Sequence, residues 1–205
     1  DIPIDIQQGE LDHFVYPEKA EIIGYKPRTQ GHPLQIKKAL ELIQKSQRPV
    51  ICAGGGVLSS GGKRDLVSFV EKTGIPVVST MMGIGVMASG HPLYLGMLGT
   101  HGTWAANRAI DASDLLIIIG ARVGDRAVAT PGVLEKRTRV IHIDIDPAEI
   151  GKNMGTAIPL VGDAKHILHH LYDMTPGTDF SQWLVQVRQW REEVSFDLED
   201  REGYI

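Results

Sequence analysis

Pro49-Val50-Ile51-Cys52-Ala53 is an unbroken apolar run that stops at Gly54-Gly55-Gly56, and beyond it Leu66, Phe69 and Val70 fall on one helical face. A short apolar run without alternation fits a strand buried on both faces, the glycines a turn, and the spacing of three and four a helix. Further strand candidates lie at Ile75 to Ser79, Leu115 to Ile119, Val140 to Ile145 and Ile158 to Val161, with polar or helical stretches between them. Strands alternating with helices predict an α/β fold: a parallel sheet covered on both faces. Upstream, Ile36, Ala39, Leu40 and Ile43 set a helix from Pro33 to near Lys45, with proline in the first turn. Residues 1–32 hold no sustained period and read as a linker, and 33–175 as the domain. In 176–205 a last helix, from Phe180 to about Leu198, places Trp183, Val187, Trp190 and Val194 on one stripe.

At 205 residues and 42% hydrophobic content the chain can bury one sizeable core. Twenty-one Lys and Arg against 25 Asp and Glu leave a net charge of -4, which argues against nucleic-acid and anionic-membrane partners. The single cysteine, Cys52, excludes an internal disulfide or a multi-cysteine zinc site and points to a reducing, cytoplasmic setting. No apolar run approaches the roughly 18 residues of a membrane span, and Asp1-Ile2-Pro3-Ile4-Asp5 lacks a basic signal-peptide start. Lacking an initial Met and ending at Tyr204-Ile205, the chain reads as a piece of a longer protein.

Ligands of an open parallel sheet bind beyond the carboxyl ends of its strands, so the residues after each strand carry the chemistry. Gly54-Gly55-Gly56 would let backbone approach a phosphate, or would serve only tight strand-to-helix packing. The G-x-G-x-x-G fingerprint of nicotinamide cofactors fails at its third glycine, where Ser59 stands, and Ser79-Thr80 occupies the place of a ribose-binding acid. In Gly120-Ala121-Arg122-Val123-Gly124-Asp125-Arg126, two arginines could clamp a diphosphate or pair with Asp125 and Glu135. At Asp144-Ile145-Asp146-Pro147 a carboxylate could meet ribose hydroxyls, while Asp146 could cap a helix starting at Pro147. Together these ends describe a dinucleotide-sized ligand. His166, His169 and His170 read as a solvated helix face, Cys52 as a buried inert thiol, and Trp183 and Trp190 as packing anchors.

Seven stretches in order resemble the central domain of the acetolactate synthase (acetohydroxyacid synthase) family: Asp1 to Gln7, Ala53 to Gly56, Ser79 to Gly85, Gly96 to Gly102, Gly120 to Arg122, Ile143 to Ile150 and Gly162 to Ala164. The resemblance implies a three-layer, Rossmann-like domain with a six-stranded parallel sheet that carries FAD. It also implies flanking domains of the same chain that bind thiamine diphosphate with Mg2+. The whole enzyme would decarboxylate pyruvate and join the two-carbon unit to a second 2-ketoacid in branched-chain amino-acid synthesis, FAD doing no net redox work. A homo-oligomeric parent with a regulatory subunit follows from the same resemblance.

By the resemblance, Gly54, Gly55 and Gly56 approach the FAD chain, while Thr80, Met81 and Met82 with Leu98, Gly99, Thr100 and His101 line the flavin and ribityl region. Gly120 and Ala121 with Arg122 and Arg126 meet its polar parts; Asp144, Ile145 and Glu149 surround the adenosine end, which Asp163 and Ala164 close. Thr100 stands where the family often has Met, and Val123-Gly124 where it often has an aromatic-acid pair. Neither the family's thiamine-diphosphate motif nor its catalytic glutamate is present, so these residues alone are expected to be inactive. The competing readings are the central domain of glyoxylate carboligase or pyruvate oxidase, and a free-standing module of electron-transfer flavoprotein or sirtuin type, the latter disfavoured by the single cysteine.

Overall fold

The computed structural model describes residues 1–19, 27–122, 124 and 131–193. Six strands form one sheet: β1 (Pro49–Ala53), β2 (Val77–Ser79), β3 (Tyr94–Met97), β4 (Leu115–Ile119), β5 (Arg139–Asp144) and β6 (Ile158–Val161). Their order is β3-β2-β1-β4-β5-β6 and every pairing is parallel. All five residues of β1 and all five of β4 are buried, which requires cover on both faces.

The helices are α1 (Ile4–Gln7), α2 (Pro33–Lys45), α3 (Gly55–Ser59), α4 (Lys63–Thr73), α5 (Trp104–Ala112), α6 (Pro131–Leu134), α7 (Ala164–Met174) and α8 (Ser181–Glu192). Helices α2 and α4 pack against α7, and α5 packs against α8. Helix α2 begins at Pro33 behind His32, whose Nδ1 accepts the Leu34 N–H, and buries Ile36, Ala39, Leu40, Leu42 and Ile43. Helix α4 buries Leu66, Phe69, Val70 and Thr73 and stops at Gly74, whose left-handed φ of 72° suits glycine. On α8, Trp183, Val187 and Trp190 are buried as their spacing predicts, Trp183 and Trp190 edge to face at 5.6 Å; Val194 and Leu198 lie outside the described residues.

Four details differ from the sequence expectation. Strand β2 starts at Val77, two residues later than read, and β5 covers Arg139–Asp144, leaving Ile145 half-exposed. Strand β3 is invisible to periodicity, being short, at the sheet edge, out of regular register with β2 and interrupted by Gly96 at φ 96°. Pro147 opens a turn rather than a helix, and the Asp146 carboxylate accepts the Ala148 N–H within it at 2.9 Å. Among the described residues no helix is long and apolar enough to cross a membrane.

Candidate functional site

From β1 the sheet grows toward β2 and β3 on one side, while β4, β5 and β6 extend it on the other. Connections leaving β1 and β4 therefore diverge and open a crevice beyond their carboxyl ends. A cleft of about 970 Å3 lies there, large for a small-molecule site. Four strand ends wall it. Gly55 and Gly56 follow β1, Thr80, Met81 and Met82 follow β2, Met97, Leu98, Thr100 and His101 come from the end of β3, and Gly120, Ala121, Arg122 and Gly124 follow β4.

The triple glycine divides between two tasks. The Gly54 N–H donates to Ile119 O and the Gly56 N–H to Gly120 O, both at 2.9 Å. A Cβ at Gly54 would stand 2.2 Å from Gly120 O, so this glycine locks the β1 and β4 connections together and does not line the cleft. Gly55 faces it, beside Met82. Opposite, a 3-10 turn (Met81–Gly83) is pinned to the end of β1 by the Thr80 N–H to Ala53 O bond at 3.0 Å, where a Cβ on Gly83 would clash with Ala53 O at 2.2 Å. That turn leaves Met81 and Met82 69% and 75% exposed: two large apolar side chains presented to the cleft. Two adjacent large apolar side chains left open in a concave site form a surface that a ligand or a neighbour could cover.

Arg122 reaches the cleft with a side chain 77% exposed, its Nε 3.6 Å from Glu149 Oε2. Glu149 is itself largely buried and also pairs with Lys152 at 3.0 Å. Of the ion-pair partners read from sequence, Glu135 accepts the Gly155 N–H, while Asp125, with Arg126, lies outside the described residues. A pair this long, with the arginine side exposed, holds the guanidinium loosely and lets it turn to an anion.

The remaining expected residues do not line the cleft. Asp144 ends β5, where its carboxylate accepts the Asp146 N–H at 2.9 Å, and Ile145 follows it. Asp163 follows β6 and caps α7 by accepting the Lys165 and His166 N–H groups, and Ala164 is buried in the first turn. Gly99 sits behind Thr100 in the loop after β3, with both its N–H and its carbonyl bonded to Asn107. The cleft residues and Asp144, Ile145 and Asp163 thus follow strands β3, β2, β1, β4, β5 and β6 in spatial order, a span of about 24 Å at ordinary strand spacing.

Other chemistry is muted. Burial pushes the Cys52 thiol up to about 12, so it offers no thiolate at neutral pH. His169 lies near Asp65 and Asp173, and among the described residues no group of three or more His, Cys, Asp or Glu could hold a metal ion. Sequence reasoning missed Met97 and Gly124 as cleft residues; Met97 ends the strand whose periodicity is broken by Gly96, and Gly124 sits inside the arginine motif.

A six-stranded parallel sheet with its cleft at the point of strand reversal is matched by a family model. Residues 36–171 match the thiamine pyrophosphate enzyme central domain. The chain belongs to that family. Within the thiamine pyrophosphate enzyme central-domain family it is 53% identical over 173 residues to a probable acetolactate synthase large subunit of Methanocaldococcus jannaschii, covering 83% of this chain and 29% of that protein. It is 43% identical over 189 residues to the acetolactate synthase large subunit of Corynebacterium glutamicum, covering 90% and 30%. The corresponding subunit of Haemophilus influenzae is 37% identical over 215 residues, covering 100% and 37%. The chain spans about a third of the length of these curated relatives.

Proposed function

We propose that this chain is the FAD-binding central domain of an acetolactate synthase large subunit. The observation that carries the reading is the cleft at the strand reversal, where Thr80, Met81, Met82, Leu98, His101 and Arg122 converge. Its apolar walls suit the faces of a planar ring, and Arg122 at its rim suits a diphosphate. Asp144, Ile145 and Glu149, on the side of β5, would take the adenosine end, and Asp163 with Ala164 would border it. Gly55, rather than Gly54, would bring backbone nearest the cofactor. FAD is favoured over a nicotinamide cofactor because β2 ends in Ser79, whose buried hydroxyl is bonded to the Tyr94 hydroxyl at 2.7 Å, and offers no carboxylate to a ribose.

Residues 33–175 would form the domain, with 1–32 leading in and 176–205 leading out. The parent would condense pyruvate with a second 2-ketoacid, with loss of carbon dioxide, toward valine, leucine and isoleucine. Thiamine diphosphate and Mg2+ would be held by its other domains; a cytoplasmic homo-oligomer with a regulatory subunit completes the reading. When bound, FAD would supply structure rather than net electron transfer, while this chain's residues orient it and exclude water around it.

The test is an assay of the full-length parent for acetolactate formed from pyruvate with thiamine diphosphate, Mg2+ and FAD, alongside this 205-residue chain. The parent should be active and lose activity when FAD is removed, and this chain alone should be inactive. A parent that forms no acetolactate, or acetolactate made by this chain alone, overturns the reading.

A further inference from the structure

We propose that Asn107, which lies on α5 outside the cleft, is the positioning residue that holds the loop 98–102 so that Thr100 and His101 face the dinucleotide. This inference rests on the flavin reading above. The carboxamide of Asn107 grips one residue from both sides: its Oδ1 accepts the Gly99 N–H and its Nδ2 donates to the Gly99 carbonyl, each at 2.9 Å. Gly99 has φ 108°, a conformation that costs glycine more backbone entropy than any other residue, and the paired bonds offset that cost.

The loop is fastened at every other corner by backbone. Leu98 N–H donates to Ser79 O, Gly102 N–H to Gly99 O and Thr103 N–H to Met97 O. Gly102 is close-packed, since a Cβ there would lie 2.4 Å from Met97 O. Leu98 lines the cleft from a buried position, and Thr100 and His101 line it from the exposed tip. Among the described residues Asn107 is thus the one side chain that fastens the loop from a different element, and it does so one residue before the tip. A loop ordered before binding loses less freedom when the ligand arrives, so the clamp acts on affinity without touching the ligand.

The experiment titrates the chain with FAD by flavin fluorescence, comparing wild type with Asn107→Ala, Asn107→Asp, His101→Ala and the Asn107→Ala/His101→Ala double variant. Hydrogen exchange of residues 99–102 is measured without flavin. Asn107→Asp keeps the acceptor but sets a carboxylate oxygen against the Gly99 carbonyl, so it separates loss of the clamp from loss of fold. Both Asn107 variants should bind FAD about three- to tenfold more weakly and exchange faster at Gly99 and Gly102. The double variant should be weaker than His101→Ala by less than Asn107→Ala is weaker than wild type, because an unfastened loop presents His101 poorly. Unchanged affinity in either folded Asn107 variant, or strictly additive losses, overturns the inference. A wild-type chain that binds no flavin overturns the flavin reading itself, and this inference with it.

Discussion

Gly56 and Gly120 meet backbone to backbone at the sheet's point of reversal: the Gly56 amide donates to the Gly120 carbonyl at 2.9 Å, and a Cβ on Gly56 would stand 2.6 Å from Gly120 Cα. The connections leaving β1 and β4 are therefore interlocked where they begin to diverge, and the cleft above them has a floor of main chain.

Alanine at either glycine should destabilise the chain. Overpacking of this kind typically costs about 1–3 kcal/mol, and Gly120, at φ 55°, would add about 1–2 kcal/mol for a left-handed backbone. Gly90 is the control, since a Cβ there meets nothing within 4 Å, and its alanine variant should stay within about 0.5 kcal/mol of wild type. Urea unfolding measures all three. Equal stability of the Gly56→Ala and Gly90→Ala variants would show that the interlock is slack.

His142 makes stability depend on pH. It is buried on β5 with Nε2 unpartnered among the described residues. Burial lowers its pKa from the ordinary 6.5, outweighing Asp144, the Ala121 carbonyl and Glu149, which pull the other way. The folded chain thus resists protonation that the unfolded chain accepts. The contribution is complete above about pH 6.5 and is lost as pH falls through the lowered folded value. Urea midpoints should fall more steeply below pH 6.5 in wild type than in His142→Leu; parallel profiles would count against this account.

Trp183 should matter more than its exposed neighbours. Its Nε1 donates to Pro49 O at 3.0 Å in a buried contact that ties α8 to the start of β1. Trp183→Phe leaves that carbonyl without its partner, at a cost of about 1–3 kcal/mol. A thermal or urea midpoint indistinguishable from wild type would mean that α8 is only loosely attached.

How far the sequence could be read follows from where packing, rather than ligand geometry, decides a residue. Strands β1 and β4 and helix α2 were legible to the residue because burial on both faces, or on one helical stripe, writes itself as an apolar run or a helical period, and the partly buried edge strand β6 was legible from its short apolar run alone. The short, glycine-interrupted β3 has no such period, and only the family resemblance implies a sixth strand. At the site, motif order pointed to the strand ends, and the residues of β1, β2, β3 and β4 do gather. What composition cannot show is which partners each group has in the fold: Gly54 packs on Gly120, Asp163 caps α7, and Glu149 faces Arg122 and Lys152. The Asn107 clamp depends on a turn that brings residues eight apart into contact, which no helical or strand period encodes.

Arg122 should affect ligand and fold differently. Its pairing with Glu149 is long, its own side chain is exposed and Glu149 keeps Lys152 as a partner, so Arg122→Ala should change stability by less than about 1 kcal/mol. A charge-assisted bond to a diphosphate is worth about 1.5–3 kcal/mol, so the same variant should bind FAD roughly ten- to hundredfold more weakly. Circular dichroism checks the fold and flavin fluorescence the affinity. Unchanged affinity in a folded variant would leave Arg122 as a surface ion-pair residue.

The central claim is that the cleft over the β1 and β4 ends takes FAD, and calorimetric titration of the chain with FAD and with NAD in parallel tests it most directly. The account predicts one FAD site per chain, binding FAD more tightly than NAD and weakened by Arg122→Ala. Tighter binding of NAD, or no FAD binding by a folded chain, would contradict it.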